Sequence, residues 1–317
     1  MAERCPTSEL HADGASSAAR EDHHQDDVQR YRESIASLRM WLDSMPHLIC
    51  RDDDDFLLRF LRVAKMDLER AQMMLDNYVT IRKSSRGSPH WFDYPALDDE
   101  RVLRYLEQPF VHLHLGYKAS GEAVYLIGTQ DLMPFDQLVT TLYMTADVAL
   151  VDPHSQTSGV TVIVDMNQIS KKQLKLFENR KTLFSLLRNW QDAFPVRVKS
   201  VIYLNEPLYF DVIYAFIKSA PLLKQKLKDR LHRVGKDLDK LRRLIGEEEA
   251  EALLPEELGG RNGSIQQLME ESKLKFHSDD VQGGMAADAR DGRAGGSATA
   301  FHRELFENLH GALSLPL

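Results

Sequence analysis

Asp165 closes the apolar run Val160-Thr161-Val162-Ile163-Val164. A carboxylate at the C-terminal end of a central strand stands where open α/β sheets gather ligands, so Asp165 is the first candidate for acid–base work. No convergent constellation accompanies it, and a strand-end aspartate that simply caps the following turn is the plainer account. The chain has no G-x-S-x-G elbow, no G-x-x-x-x-G-K-[ST] loop, no strand-following G-x-G-x-x-G, no C-x-x-C and no H-E-x-x-H. Asp98-Asp99 and Glu247 to Glu249 sit in polar runs and read as cap and surface charges. His112 and His114 share one face of a strand without a third metal ligand. His11, His23 and His24, with Asp26 and Asp27, lie in a segment that fixes no geometry. Asp52 to Asp55 lack the turn glycine and closing glutamate of a calcium loop. No enzyme, metal centre or cofactor is expected.

The residues are better suited to binding. Arg197 and Lys199, two apart on an extended lead-in, are expected to share a face. Lys226 and Arg230, four apart on a helix begun by Pro221, are expected to share another. From Lys224 to Arg243, nine lysines and arginines meet only Asp229, Asp237 and Asp239, within a chain of net charge -8. Such a patch suits an anionic membrane surface, or is a solvated helix face. Between these cations lies Pro207 to Ser219, a helix-length stretch with Pro207 at its first turn. Asp211, Tyr214 and Lys218 form one narrow polar stripe; Leu208, Phe210, Val212, Ile213, Ala215, Phe216 and Ile217 cover the rest. Exposing each large side chain costs ~1.5–3 kcal/mol. The segment is therefore either a buried core helix or a lid that is covered only conditionally.

Several elements must hold these residues in place. Phe56 to Arg62 and Leu68 to Arg82 step by three and four as amphipathic helices, the first with Asp52 to Asp55 at the positive end of its dipole. Val111, Leu113 and Leu115 alternate as a half-exposed strand, and Ala123 to Ile127 follow as the next. Phe135 to Val151 reads as a helix, Val160 to Val164 as a buried strand, Lys171 to Ala193 as a helix and Val201 to Leu204 as a strand. Strands separated by helices imply a mostly parallel sheet. Phe301, Leu305, Phe306 and Leu309 are spaced helically within a C-terminal tail. The expected organisation is a disordered leader (1–27), a helical module (28–90), an α/β domain (91–265) and a flexible tail (266–317).

Bulk properties bound the setting. Of 317 residues, 43% are apolar and 28% charged, enough for a sizeable core. The negative balance argues against nucleic acid as a partner. Two cysteines, Cys5 and Cys50, make no disulfide framework. The absence of a signal peptide, lipidation motif or spanning segment leads to the expectation of a cytosolic protein.

In order along the chain, FLLRFLRVAKMDLERA (56–71), GVTVIVDM (159–166), FPVRVKSVIYLNEP (194–207), KLKDRLHRVG (226–235) and LLPEELGG (253–260) make this sequence similar to the CRAL-TRIO lipid-binding family. It most resembles the tocopherol-transfer and retinaldehyde-binding branch. The resemblance spans about residues 30–265, and FP-x-[KR]-V-[KR] followed by NEP and LP-x-E-x-GG is a specific combination. It implies a small helical module ahead of an α/β domain with a hydrophobic cavity, over which the helix after NEP is a mobile gate facing ligand on one side and membrane on the other. Implied cavity residues are Val139, Leu142, Ala146, Val160, Val162, Val164, Val201, Tyr203, Phe210, Ile213, Phe216 and Ile217. The implied phosphatidylinositol bisphosphate headgroup site is Arg197, Lys199, Lys226 and Arg230. Ala64 replaces an arginine usual in the family, and Lys218-Ser219-Ala220-Pro221 lengthens the usual junction after the gate. The implied function is a monomeric cytosolic carrier that exchanges a tocopherol-, retinoid- or phospholipid-like ligand at phosphoinositide-bearing membranes. A lipid-sensing adaptor that recruits a partner through its tails is the alternative, and a hydrolase using Asp165 a third.

Overall fold

A computed structural model describes residues 14–83, 91–92, 113–128, 139–140, 142–143, 146–147, 150, 152–169, 171 and 179–276. Val111, His112, the Asp98-Asp99 pair and the helical spacing of Phe301 to Leu309 lie outside the described residues.

Three helices come first: α1 (Gly14–Asp43), α2 (Asp54–Ala64) and α3 (Leu68–Lys83). α1 runs back over part of the segment expected to be a disordered leader. Packing fixes its second half at Ile35, Leu38 and Leu42, and propagation from a fixed turn adds one bond per residue through alanine-, glutamate- and glutamine-containing chain. The acidic cluster before α2 is a cap: Asp53 accepts from the Phe56 N–H at 3.1 Å, with Asp54 and Asp55 in the first turn. α2 stops at Lys65, which is left-handed, and buries Phe56, Leu57, Phe60 and Leu61 against Leu38 and Leu75 in a core of its own.

The α/β domain is built on five strands in the order β1-β2-β3-β4-β5, namely Leu113–Tyr117, Ala123–Gly128, Val160–Asp165, Val198–Leu204 and Leu231–Gly235. β1 and β2 form an antiparallel hairpin and every other pair is parallel, so the expected α/β class with a mostly parallel sheet holds. The helices among and after the strands are α4 (Pro153–Thr157), α5 (Arg180–Arg188), α6 (Phe210–Ser219), α7 (Gln225–Lys228), α8 (Leu238–Ile245), α9 (Glu247–Leu253) and α10 (Ile265–Phe276). One sheet face is dry: Leu126, Ile163, Ile202 and Leu204 are fully buried against Leu241, Ala250 and Leu254.

Several boundaries differ from the sequence expectation. Of the helix expected over 135–151, residues 139, 140, 142, 143, 146 and 147 are helical and the remainder lie outside the described residues, apart from Leu150, which is in a turn. α5 starts at Arg180 because Asn179 caps it, accepting from the Lys181 N–H at 3.1 Å. It ends in one wide π turn, Asn189–Ala193, with the Phe194 N–H bonded to the Asn189 carbonyl. Beyond the expected boundary at 265, Leu268 and Met269 of α10 pack with Ile265 on the dry-face core.

The helical module is fastened to the α/β domain by arginines. Arg82 of α3 donates to both oxygens of Asp147 at 2.7 Å, and Asp147 is only 3% exposed. The same guanidinium stacks 3.4 Å from the Tyr78 ring centroid, and the Tyr78 hydroxyl also donates to Asp147. Arg62 of α2 donates to Gln156 of α4 at 2.7 Å.

Candidate functional site

The second face of the sheet behaves unlike the first. In a parallel sheet covered on both sides, central strands are normally buried throughout. Here Ile127 of β2, Val162 and Val164 of β3, and Val201 and Tyr203 of β4 all retain accessible surface. The register aligns Tyr125, Val162 and Val201 in one row and Ile127, Val164 and Tyr203 in the next. Toward the N-terminal strand ends this face is dry, with Ala123, Tyr125 and Val160 buried, and accessibility grows toward the C-terminal ends. Those ends are where ligands bind in open α/β sheets.

α6 and α5 cover this face. Phe210, Ile213 and Ile217, at i, i+3 and i+7, are the buried edge of α6, and they cluster with Val164, Val201, Tyr203, Leu183 and Phe184. Phe184 and Phe216 meet at 5.2 Å between ring centroids. The polar stripe of α6 is a row of fasteners to β5 and its lead-in. Asp211 pairs with Arg233 at 2.7 Å, the Tyr214 hydroxyl donates to the Leu231 carbonyl at 2.8 Å, and the Lys218 ammonium donates to the Lys228 carbonyl. The third sector faces out and is apolar, with Val212 73% exposed, and Leu208 just before the helix 87% exposed.

The NEP segment leads from β4 into this helix. Asn205 adopts a left-handed conformation (φ 53°), which turns the chain out of β4, and its amide donates to Asp165 at 2.9 Å. Glu206 accepts from the Arg233 Nε at 3.0 Å and from the Gly235 N–H at 2.9 Å. Pro207 does not open α6 as expected. Its carbonyl instead accepts from the Phe210 N–H in a separate turn, and the helix begins at Phe210. Burial lowers the Arg233 guanidinium's affinity for its proton, but the bonds from Asp211 and Glu206 more than offset this and hold it above its ordinary value. Asp165 also accepts from the Asn167 N–H at 3.0 Å, the arrangement of a turn cap.

The four expected headgroup cations are placed unequally. The Arg197 guanidinium donates to the carbonyls of Arg62, Val63 and Thr157, so it sits on the negative end of α2 and joins module to domain. Burial, with Arg70 nearby, holds it below its ordinary value. Lys199 is an exposed bulge residue, since β3 pairs Val160 with Val198 and then Thr161 with Ser200. Gly159 (φ 94°) is required beside it, since a Cβ there would collide with the Arg197 carbonyl. Arg230 donates to the Val198 carbonyl, so Arg197, Lys199 and Arg230 meet at the start of β4. Lys226 is exposed on α7, which ends at Lys228, so Arg230 lies beyond the helix expected to carry both.

Of the expected cavity residues, Val164, Val201, Tyr203, Phe210, Ile213, Phe216 and Ile217 come together under α6. Val160 and Val162 join Tyr125 at the dry end of the same face. Val139 and Ala146 pack elsewhere, among Trp91, Tyr143 and Phe194; Leu142 is half-buried. A separate cleft of about 130 Å³ beside Phe184, Leu187 and Leu222 is smaller than the ~300–1,000 Å³ of typical ligand pockets. His114 is less exposed than expected, its ring nitrogens buried and its ring 4.8 Å from Tyr117 and 5.0 Å from Tyr125. Among the described residues no three His, Cys, Asp or Glu side chains are placed to hold a metal ion, and no helix is long and apolar enough to cross a membrane. Sequence reasoning missed Glu206 and Arg233; the polar stripe on α6 was the signal that something opposite must pair with it.

Comparison with known proteins bears on the same segments. Residues 27–106 match the family described as "Pinta-like, UBA domain", and residues 115–260 match "CRAL/TRIO domain". "Alpha-tocopherol transfer protein-like" of Homo sapiens is 30% identical over 268 residues, 83% of this chain and 74% of its own. "Clavesin-1" of Rattus norvegicus is 29% identical over 242 residues, 75% of this chain and 63% of its own. A solved structure described as "Crystal structure of Sfh5" aligns with a TM-score of 0.48 at 12% identity, over 76% of this chain and 91% of that one. By this likeness to relatives along most of its length, the chain belongs to the CRAL/TRIO family.

Proposed function

We propose that this protein is a carrier, without covalent chemistry, that holds one hydrophobic small molecule between the sheet and α6 and exchanges it at phosphoinositide-bearing membranes. The observation that carries this reading is the accessible aliphatic face of Ile127, Val162, Val164 and Val201 beneath a helix that is itself apolar on its outer side. A surface of that kind inside a covered sheet is stabilised by an apolar occupant. Membership of the family, and the name of the relative called alpha-tocopherol transfer protein-like, support a tocopherol-, retinoid- or phospholipid-like ligand. The protein acts as a monomer in the cytosol and meets membranes transiently. Lys199, Lys226 and Arg230, with whatever Arg197 has free, supply the headgroup contacts.

Native mass spectrometry of the protein purified from its own cells tests the carrier. A one-to-one adduct that is lost on organic extraction is expected. Ligand-free protein that also fails to move tocopherol, retinal or phosphatidylcholine between vesicles overturns it. For the headgroup, wild type should prefer bisphosphorylated inositide vesicles over phosphatidylserine vesicles of equal charge, and Lys199→Ala/Lys226→Ala should lose that preference. Retention of the preference by the double variant removes those two lysines from the site.

A further inference from the structure

We propose that the Tyr203 hydroxyl reads the polar end of the cavity's occupant, and that the occupant is a neutral lipid ending in a hydroxyl or carbonyl oxygen. This rests on the carrier reading above. Tyr203 lies near the C-terminal end of β4, on the face covered by α6, and the accessible residues beside it on β2, β3 and β4, Ile127, Val162, Val164 and Val201, are aliphatic. Its ring is positioned by Phe210 at 5.0 Å and Tyr214 at 6.2 Å between centroids.

Neighbouring tyrosines use their hydroxyls within the protein. Tyr214 donates to Leu231, Tyr209 donates to Ile169, and Tyr143 accepts from Asn189. Among the described residues the Tyr203 hydroxyl has no hydrogen-bond partner, yet the side chain keeps accessible surface. A desolvated hydroxyl left unbonded is costly, so whatever fills the space beside it is selected for an oxygen that can bond to it. Burial, with Tyr214 nearby, raises the phenol's pKa and keeps it neutral. The nearest cation in the sheet, Arg233 opposite Tyr203 on β5, is already paired with Glu206 and Asp211. Among the described residues a charged head would therefore find no unpaired counter-charge in the sheet beside Tyr203, whereas a neutral alcohol, aldehyde or ketone needs none.

The test uses the full chain with two probes, a C20 isoprenoid alcohol and the hydrocarbon of the same skeleton, each corrected for its partition into vesicles. Wild type should favour the alcohol about tenfold, equivalent to about 1.4 kcal/mol. Tyr203→Phe should remove that preference while the thermal midpoint stays unchanged. Tyr203→Leu serves the same comparison should the first variant fold poorly. A wild type without preference, or variants that keep it, overturns the assignment of Tyr203 and leaves the carrier reading standing. Failure of the wild type to bind either probe also overturns the neutral-lipid assignment, whereas the carrier reading falls only to the mass-spectrometric and transfer tests above.

Discussion

If α6 is the gate, its closed state should be held by an amount that can be added up, and part of that amount is removable without touching the cavity. Opening exposes Phe210, Ile213 and Ile217, at ~1.5–3 kcal/mol each, or roughly 5–9 kcal/mol together. The Tyr214 hydrogen bond adds ~0.5–1.5 kcal/mol. The Asp211–Arg233 pair adds ~0.2–1 kcal/mol, since the Asp211 side chain is more than half exposed. The open state in water is then populated on the order of one molecule in ten thousand or fewer. Asp211→Ala with Tyr214→Phe weakens the hold by about 1–2 kcal/mol, a rise of about 5- to 30-fold in open population. Amide hydrogen exchange reads this directly. The amides of Ile213 to Ile217 should lose protection by that factor, with those of Val162 to Val164 in β3 unchanged. Unchanged α6 protection means that the polar stripe does not hold the helix. An equal loss in β3 means that α6 opens only with global unfolding, and the helix is then ordinary core.

Leu208→Asp, just before α6, and Val212→Asp, on its outer sector, should shift stability by no more than about 0.5 kcal/mol while lowering vesicle binding several-fold; undiminished binding in flotation assays would place the membrane contact elsewhere. Arg197→Ala removes a donor from three carbonyls and should cost about 1–3 kcal/mol, lowering the melting midpoint by roughly 2–10 °C, whereas Lys226→Ala should leave it within about 1–2 °C. Equal midpoints for the two variants would show that Arg197 is not a structural staple. His232 of β5 is held below its ordinary value by burial, then by Lys218 and Lys240, so the fold favours its neutral form. Its contribution to stability is therefore present above about pH 6.5, the unfolded value, and is lost as pH falls from there through the lowered folded value. Melting midpoints of wild type should drop more between pH 7 and pH 5 than those of His232→Gln, and parallel curves would refute the assignment.

The parts of this fold that were legible in the sequence are those set by local periodicity. The α/β class followed from runs of valine and isoleucine alternating with helical spacing, and β2, β3 and β4 fall where those runs lie. The stripe of Asp211, Tyr214 and Lys218 was visible because a helix places i, i+3 and i+7 on one side. The start of α6 was not. Proline at a first helical turn is a good general signal, but here Asn205 and Glu206 are already bonded to Asp165, Arg233 and Gly235. Those bonds hold the chain at Pro207 in a turn, and the helix can begin only after it.

The basic residues show where local reasoning fails and what could have corrected it. Alternation put Arg197 and Lys199 on one face, which holds only for an unbroken strand. The apolar positions in fact slip phase, from Val196 and Val198 to Val201 and Tyr203, and a three-residue step between valines facing one side is the mark of a bulge. That slip makes Lys199 the extra residue and leaves Arg197 free to turn toward α2. Its acceptors there, Arg62 and Val63, are more than 130 positions away in sequence, so no spacing rule could have found them. The same holds for Arg82 with Asp147, 65 positions apart. Long-range polar pairs depend on how the module seats against the sheet, and that seating is a property of two packed surfaces rather than of any one segment. A cation read from sequence as a ligand contact is thus equally a candidate for fastening one module to the next. The choice between the two turns on whether a carbonyl-rich helix end lies within reach, as the C-terminus of α2 does for Arg197.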